Sequence, residues 1–237
     1  MLLAVEGVDG SGKTTQVKLL DAALRGRGHA TFPVSFPRYG DSVFGELIRR
    51  FLQGDSGDVD AVDPYLVALM FAADRSSEAP RLREALDEGR IVICDRYFYS
   101  NLAYQGAKLS GAAEVEHFGR WLRELEYGRW AIPQPTLSIY LDVHQDERGA
   151  ALASRNASGG NETGSVPNDI HERDVSLQAR VEQFFRATAA GADDLVIVEC
   201  QQRGERLSPQ DVNARIIRVL TERGLLQAPA QSQAPQA

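Results

Sequence analysis

Apolar residues along the chain fall into short continuous runs that alternate with stretches of helical spacing. Leu2–Glu6, Ala30–Phe36, Ile91–Asp95, Leu137–Asp142 and Leu195–Glu199 read as buried strands, the second stopped by Pro37. From Lys13 to about Arg25, the residues Val17, Leu19, Leu20, Ala23 and Leu24 recur at helical spacing, and Gly26 and Gly28 end that helix. Ser42 can cap a helix running to about Gln53, followed by a loop over residues 54–58. Asp63-Pro64 opens a long helix through Leu66, Leu69, Met70 and Ala73 that continues in pieces to Glu88. Glu114 to Tyr127 is expected to be helical with Trp121, Leu122 and Leu125 inward, and Pro209 to Arg223 closes the fold. Strand alternating with helix predicts an α/β fold, a five-stranded parallel sheet flanked by helices.

Two segments stand apart. Residues 156–168 (NASGGNETGSVPN) are nearly free of apolar side chains and cannot order by burial alone. The segment from Gln227 is Pro/Gln/Ala-rich and is expected to be disordered. A single domain over residues 1–226 follows, with an insertion at about 146–168 and a tail over 227–237. The 237 residues are 43% hydrophobic and 25% charged, enough for one substantial core. No apolar run reaches the ~18 residues of a membrane span, and the apolar start meets Glu6 and Asp9 too early for a secretory signal. A net charge of −7 argues against nucleic-acid or anionic-membrane partners. Cys94 and Cys200 each close an apolar run, as buried free thiols in a reducing cytoplasm would.

The strongest chemical signal is Gly7-Val8-Asp9-Gly10-Ser11-Gly12-Lys13-Thr14, which matches G-x-x-x-x-G-K-[ST] between a buried strand and an amphipathic helix. Glycines let successive N–H groups curl around a phosphate, and the helix start adds its positive end. Lys13 would reach the β- and γ-phosphates of ATP, and the Thr14 hydroxyl would help hold Mg²⁺. The motif predicts the three-layer fold of P-loop NTPases. Asp95-Arg96 sits at the carboxyl end of a strand, where open α/β sheets bind ligands. The carboxylate there can orient metal-bound water, and the guanidinium can take a phosphate. Residues 97–106 (YFYSNLAYQG) gather three tyrosines and two amides, a surface suited to stacking on a base and bonding its edge.

From Leu2 to about Arg186 the chain resembles the thymidylate kinases, P-loop enzymes that make dTDP from dTMP. The resemblance rests on GVDGSGKTT (Gly7 to Thr15), FPRYG (Phe36 to Gly40), LMFAADR (Leu69 to Arg75) and DRYFYSNLAYQGA (Asp95 to Ala107). It implies that Gly7 to Thr15 bind ATP and that Asp9 lies between the sugar 3′-hydroxyl and the metal. It further implies that Phe71 stacks on thymine beside Phe36, Arg75 donates to O4, Asn101 meets the N3 edge, and Tyr104 crowds out a ribose hydroxyl. Arg96 and Arg38 would hold the acceptor phosphate near Tyr39. Asp169, His171 and Glu172 match the acidic end of the family's lid, with His171 where an aromatic is often found; Asp95 and Glu172 join Thr14 and Asp9 as metal-side residues. Pro37 is expected after a cis peptide bond, and a homodimer is implied.

Some relatives carry an arginine within the P-loop, where this chain has Gly10, so the lid is expected to supply the catalytic cation. Arg155 is the first choice and Arg148 the second, although residues 156–168 contain no basic side chain. Two alternatives remain at this stage: another P-loop deoxynucleotide or deoxynucleoside kinase, and a nucleotide-switch protein with slow hydrolysis. Phe36-Pro37-Arg38 after the second strand suits a phosphate acceptor better than a hydroxyl that must be deprotonated.

Overall fold

In the computed structural model, residues 1–58, 60–143, 166 and 169–227 are described. Strands β1 (Leu2–Glu6), β2 (Thr31–Ser35), β3 (Ile91–Asp95), β4 (Leu137–Asp142) and β5 (Leu195–Glu199) form one parallel sheet in the order β2-β3-β1-β4-β5. β1 is therefore central, and the loop that leaves it emerges at the middle of the sheet's carboxyl edge. Pro33 cannot donate to a ladder and lies in β2, an edge strand where this is tolerated.

The period of two in β1 divides the core. Leu3 and Val5 face α1 (Lys13–Arg25) and α8 (Pro209–Glu222), packing with Val17, Leu20, Leu24, Ile216 and Leu220. Leu2 and Ala4 face the other layer, built by α3 (Pro64–Asp87), α4 (Phe98–Gly106), α5 (Ala112–Arg123) and α7 (Val175–Ala189). α2 (Val43–Leu52) packs on α3 through Ile48, Phe51, Leu52 and Val67. A four-residue helix, α6 (Ile170–Arg173), precedes α7, and a hairpin of β6 (Gln201–Gln202) and β7 (Glu205–Arg206) precedes α8.

Local chemistry explains the ends. Ser42 Oγ accepts from Gly45 N at 2.7 Å, the cap its sequence position predicts. Asp63 accepts from Tyr65 N at 2.8 Å with Pro64 in the first turn of α3. Two expectations are corrected. The long helix does not break into pieces: α3 runs unbroken through Pro80, held by Val67, Ala68, Ala72, Leu82 and Ala85 in the core. The helix expected to end near Tyr127 becomes a π-helical turn at Glu124–Arg129. Phe118, Leu122 and Glu126, spaced four residues apart, share the buried face, while Trp121 and Leu125 are only half-buried. Residues 98–106 form α4, and every residue of it is buried, so no amphipathic period marks it.

The Phe36–Pro37 peptide is cis, as expected. Both thiols are buried and unpaired, and burial pushes that of Cys200 up to about 12. The insertion expected at 146–168, apart from Val166, and the tail beyond Gln227 lie outside the described residues.

Gly45 marks a close approach between layers, because a Cβ there would stand 2.0 Å from the Arg38 carbonyl oxygen. Gly45→Ala is expected to lower stability by about 3 kcal/mol, measured by urea unfolding, because backbone rather than a movable side chain must yield.

Candidate active site

A cavity of about 330 Å³ opens at the carboxyl edge of the sheet, over the loop that follows β1. Its floor is the P-loop: Gly10, Gly12, Lys13, Thr14 and Thr15 line it, whereas Gly7, Val8 and Ser11 lie behind the lining. Gly12 adopts φ +97° at the start of α1, a left-handed turn that glycine enters without strain. Lys13 Nζ donates to the Val8 carbonyl at 2.9 Å, and burial, with Arg96 nearby, lowers its pKa to about 8. Thr14 Oγ1 donates to Asp95 Oδ2 at 2.6 Å, joining the P-loop helix to the end of β3.

Asp9 rises from this floor into a set of donors. It accepts from Tyr104 Oη at 2.7 Å and Gln178 Nε2 at 2.8 Å, and it pairs with Arg96. Burial works against the charged form of Asp9. Arg96, Lys13 and these hydrogen bonds outweigh it and hold the carboxyl below the usual range. Arg96 reaches this position from a left-handed backbone, φ +64°, a conformation that costs about 1–3 kcal/mol in a residue with a Cβ. It also donates to the Gly7 carbonyl at 3.1 Å and lies over the Tyr104 ring, 5.3 Å from its centroid.

The far wall is apolar with a polar seam. Phe71 and Arg75, one turn apart on α3, line it with Phe36 and Tyr39. Arg75 is buried and gives Glu126 two hydrogen bonds, at 2.9 and 2.5 Å. Asn101 Nδ2 donates to the Ala68 carbonyl at 3.0 Å and to Glu126 at 3.3 Å. Two acceptors on that side fix the amide's orientation and leave Asn101 Oδ1 without a partner among the described residues. Gln105 Oε1, on the same helix and also at the cavity, is likewise buried and unpartnered.

Asp169, His171 and Glu172 complete the wall from α6 and its cap. Burial, with Asp9 and Glu172 close by, raises the Asp169 pKa to about 8. His171 stacks on Tyr104 at 5.2 Å between centroids and stands 3.2 Å from Lys108 Nζ. Burial and Lys108 lower its pKa to about 3, so the imidazole is neutral and accepts from the lysine.

The structure thus gathers most of the expected residues around one space. Arg38 is not among them: its guanidinium is engaged by Glu78 and Ser77, and its side chain does not line the cavity. Glu78 and Asp74, both buried beside it, draw the cation to α3. Arg148 and Arg155 lie outside the described residues. Four participants escaped the sequence reading: Gln105, Glu126, Gln178 and Arg206. Gln105 had a signal, being the second amide of the aromatic-amide segment. Glu126 follows Phe118 and Leu122 on the buried face, but as an acid it reads as solvent-facing, and nothing local marks Gln178 or Arg206.

Glu126 carries the polar seam. Glu126→Ala is expected to cost about 3–5 kcal/mol in urea unfolding, since it strands a buried guanidinium; Glu126→Gln, which keeps one acceptor, should cost less.

Comparison with known proteins agrees with this geometry. The thymidylate kinase family model matches residues 5–208. A thymidylate kinase of Mycobacterium tuberculosis is 34% identical over 221 residues, covering 90% of this chain and 99% of that one. One from Thermomicrobium roseum is 36% identical over 188 residues, covering 79% and 80%. The solved thymidylate kinase of Candida albicans superposes with a TM-score of 0.68 at 22% identity, over 94% of this chain and 92% of that one, which shows a shared fold. With its family model matched over most of its length, the chain belongs to the thymidylate kinase family.

Proposed function

We propose that this cavity carries out its family's reaction, transfer of the γ-phosphoryl group of ATP to dTMP to give ADP and dTDP. The observation that carries the reading is a P-loop floor and a base-sized wall with unmet acceptors in one cavity. Buried acceptors without donors cost free energy until something supplies a hydrogen. Thymine presents one at N3, between two carbonyl oxygens, so Asn101 Oδ1 and Gln105 Oε1 can take the N3–H while Arg75 donates to O4. Cytosine has no hydrogen at N3 and carries an amino donor in place of O4, so acceptor would meet acceptor and donor would meet donor. Such mismatches in a dry site discriminate strongly. Phe71 and Phe36 supply the apolar faces, and Tyr104 occupies the space beneath the sugar.

The acceptor phosphate is already anionic, so its oxygen needs no general base. Catalysis reduces to aligning two anions and offsetting charge on the transferred group. Arg96, anchored on Gly7 and Asp9, serves the acceptor phosphate. Lys13, resting on the Val8 carbonyl, can swing to the β- and γ-phosphates. The Thr14 hydroxyl and Asp95 carboxylate form an oxygen donor set that suits a hard cation, and they would hold Mg²⁺. Bound there, the ion would neutralise phosphate charge. Asp9, also expected beside the metal, has its carboxylate engaged by Arg96, Tyr104 and Gln178 and is better placed to orient the sugar.

A single domain is supported by one sheet with both faces covered. The free, buried thiols support a cytoplasmic setting. A homodimer is supported by an apolar surface on neighbouring helices: Val43 and Leu47 of α2, one turn apart, and Leu66 and Leu69 of α3 are exposed.

Assayed with Mg·ATP and a panel of dTMP, dUMP, dCMP, dAMP and thymidine, the protein should turn over dTMP best and reject dCMP. Preferred turnover of thymidine would overturn the reading. Light scattering should give twice the 26.0 kDa chain mass, and Leu66→Arg combined with Val43→Glu should yield a monomer; an unaltered dimer would place the interface elsewhere.

A further inference from the structure

A guanidinium from the far end of the chain sits on the phosphate-binding loop. Arg206 Nη2 donates to the Gly10 carbonyl at 3.2 Å and reaches the Ser11 carbonyl at 3.5 Å. It lies 3.6 Å from the point where a Cβ of Gly12 would be, and the side chain lines the cavity. The hairpin holding it is built for rigidity. Gln201 pairs with Arg206 and Gln202 with Glu205, closed by Arg203 and Gly204 at φ +55° and +83°. Successive positive φ values are those of the tight turns that match strand twist. Arg215 on α8 braces the base, donating to the Glu199 carbonyl at 2.8 Å and to Gln202 Oε1 at 3.0 Å. Leu207 N closes the hairpin onto the Cys200 carbonyl at 3.0 Å.

The start of α1 carries the positive end of the helix, and Lys13 is the next residue, so an anion bound at this loop meets positive charge from the helix, from Lys13 and from the Arg206 guanidinium. The two carbonyls that Arg206 engages belong to the peptide units whose N–H groups are those of Ser11 and Gly12. Donation to those oxygens fixes the planes and polarises both N–H groups. The loop itself has glycine at position 10, so no side-chain cation arises between Asp9 and Lys13.

We propose that Arg206 is a binding residue for the triphosphate of the donor nucleotide, delivering from the hairpin a charge that the loop sequence lacks. This rests on the reading above only in that a nucleoside triphosphate occupies the P-loop. The guanidinium sits on the phosphate-binding loop itself, so on this proposal its contribution is common to different nucleoside triphosphates.

Calorimetric titration tests it. Arg206→Ala should weaken binding of ADP and of a non-hydrolysable ATP analogue by about 10- to 100-fold, the scale of a charge-assisted hydrogen bond lost to a phosphate. Binding of dTMP and the unfolding temperature should stay unaltered, and in turnover the KM for ATP should rise with little change in KM for dTMP. Arg206→Lys should recover part of the loss, and Arg206→Gln, which can still donate to the carbonyls, should not. Wild-type affinity in Arg206→Ala or Arg206→Gln would overturn the proposal, the latter by showing that bracing without charge suffices. A loss for adenine nucleotides but not for guanine nucleotides would place the guanidinium on the base and overturn it equally. Failure of the unmutated protein to bind ATP would instead defeat the P-loop reading.

Discussion

The carboxylate of Glu6, last residue of the central strand and immediately before the P-loop, ties the two halves of the site together. It is fully buried and accepts from Tyr99 N and Ser100 N, each at 3.1 Å, and from Ser100 Oγ at 2.5 Å. Those donors are in the first turn of α4, whose orphan N–H groups need a partner once buried. Burial raises the pKa of Glu6, and the Ser100 and Tyr97 hydrogen bonds and Arg96 oppose that rise. One side chain thereby fixes where Asn101, Tyr104 and Gln105 stand relative to Gly7 and everything after it. Distance between the P-loop and the wall formed by α4 is set by this contact rather than by a flexible connection.

From that anchor the charges organise themselves without ligand. Asp9 lies among Arg96, Tyr104 and Gln178, while Lys13 rests on its own loop. Cations that would otherwise repel are spaced by one acid, and the strained backbone of Arg96 is kept in place by its bond to Val5 and the Gly7 carbonyl. Pre-organisation of this kind lets incoming phosphates replace existing partners instead of ordering free side chains.

Much of the fold was legible because its strands are buried runs and its helices carry capped, one-sided stripes. The P-loop, Ser42 and Asp63 behave as their local chemistry dictates. Burial on all sides removed the signal elsewhere: α4 has no polar face to reveal a period, and Glu126 is an acid on the buried face of Phe118 and Leu122, where side-chain type alone points to solvent. Candidate site residues were legible where a contiguous motif held them, as in Asp95 to Tyr104. Arg38 shows the limit, because its environment depends on Asp74 and Glu78, distant in sequence. Gln178 and Arg206 reach the site only through tertiary packing, and two-residue strands such as β6 and β7 are too short for any pattern.

The pairing of Arg75 with Glu126 has a consequence for how the site meets its surroundings. Both side chains are almost wholly removed from solvent, at 2% and 0% exposure, and dissolved ions cannot reach between them. Asn101 hangs from the same carboxylate and is buried with it, so the groups proposed to read the base share this shelter. The Arg96 side chain, proposed to serve the acceptor phosphate, is 19% exposed and more open to dissolved ions. On those proposed roles, base choice depends less on ionic strength than does the hold on the acceptor phosphate.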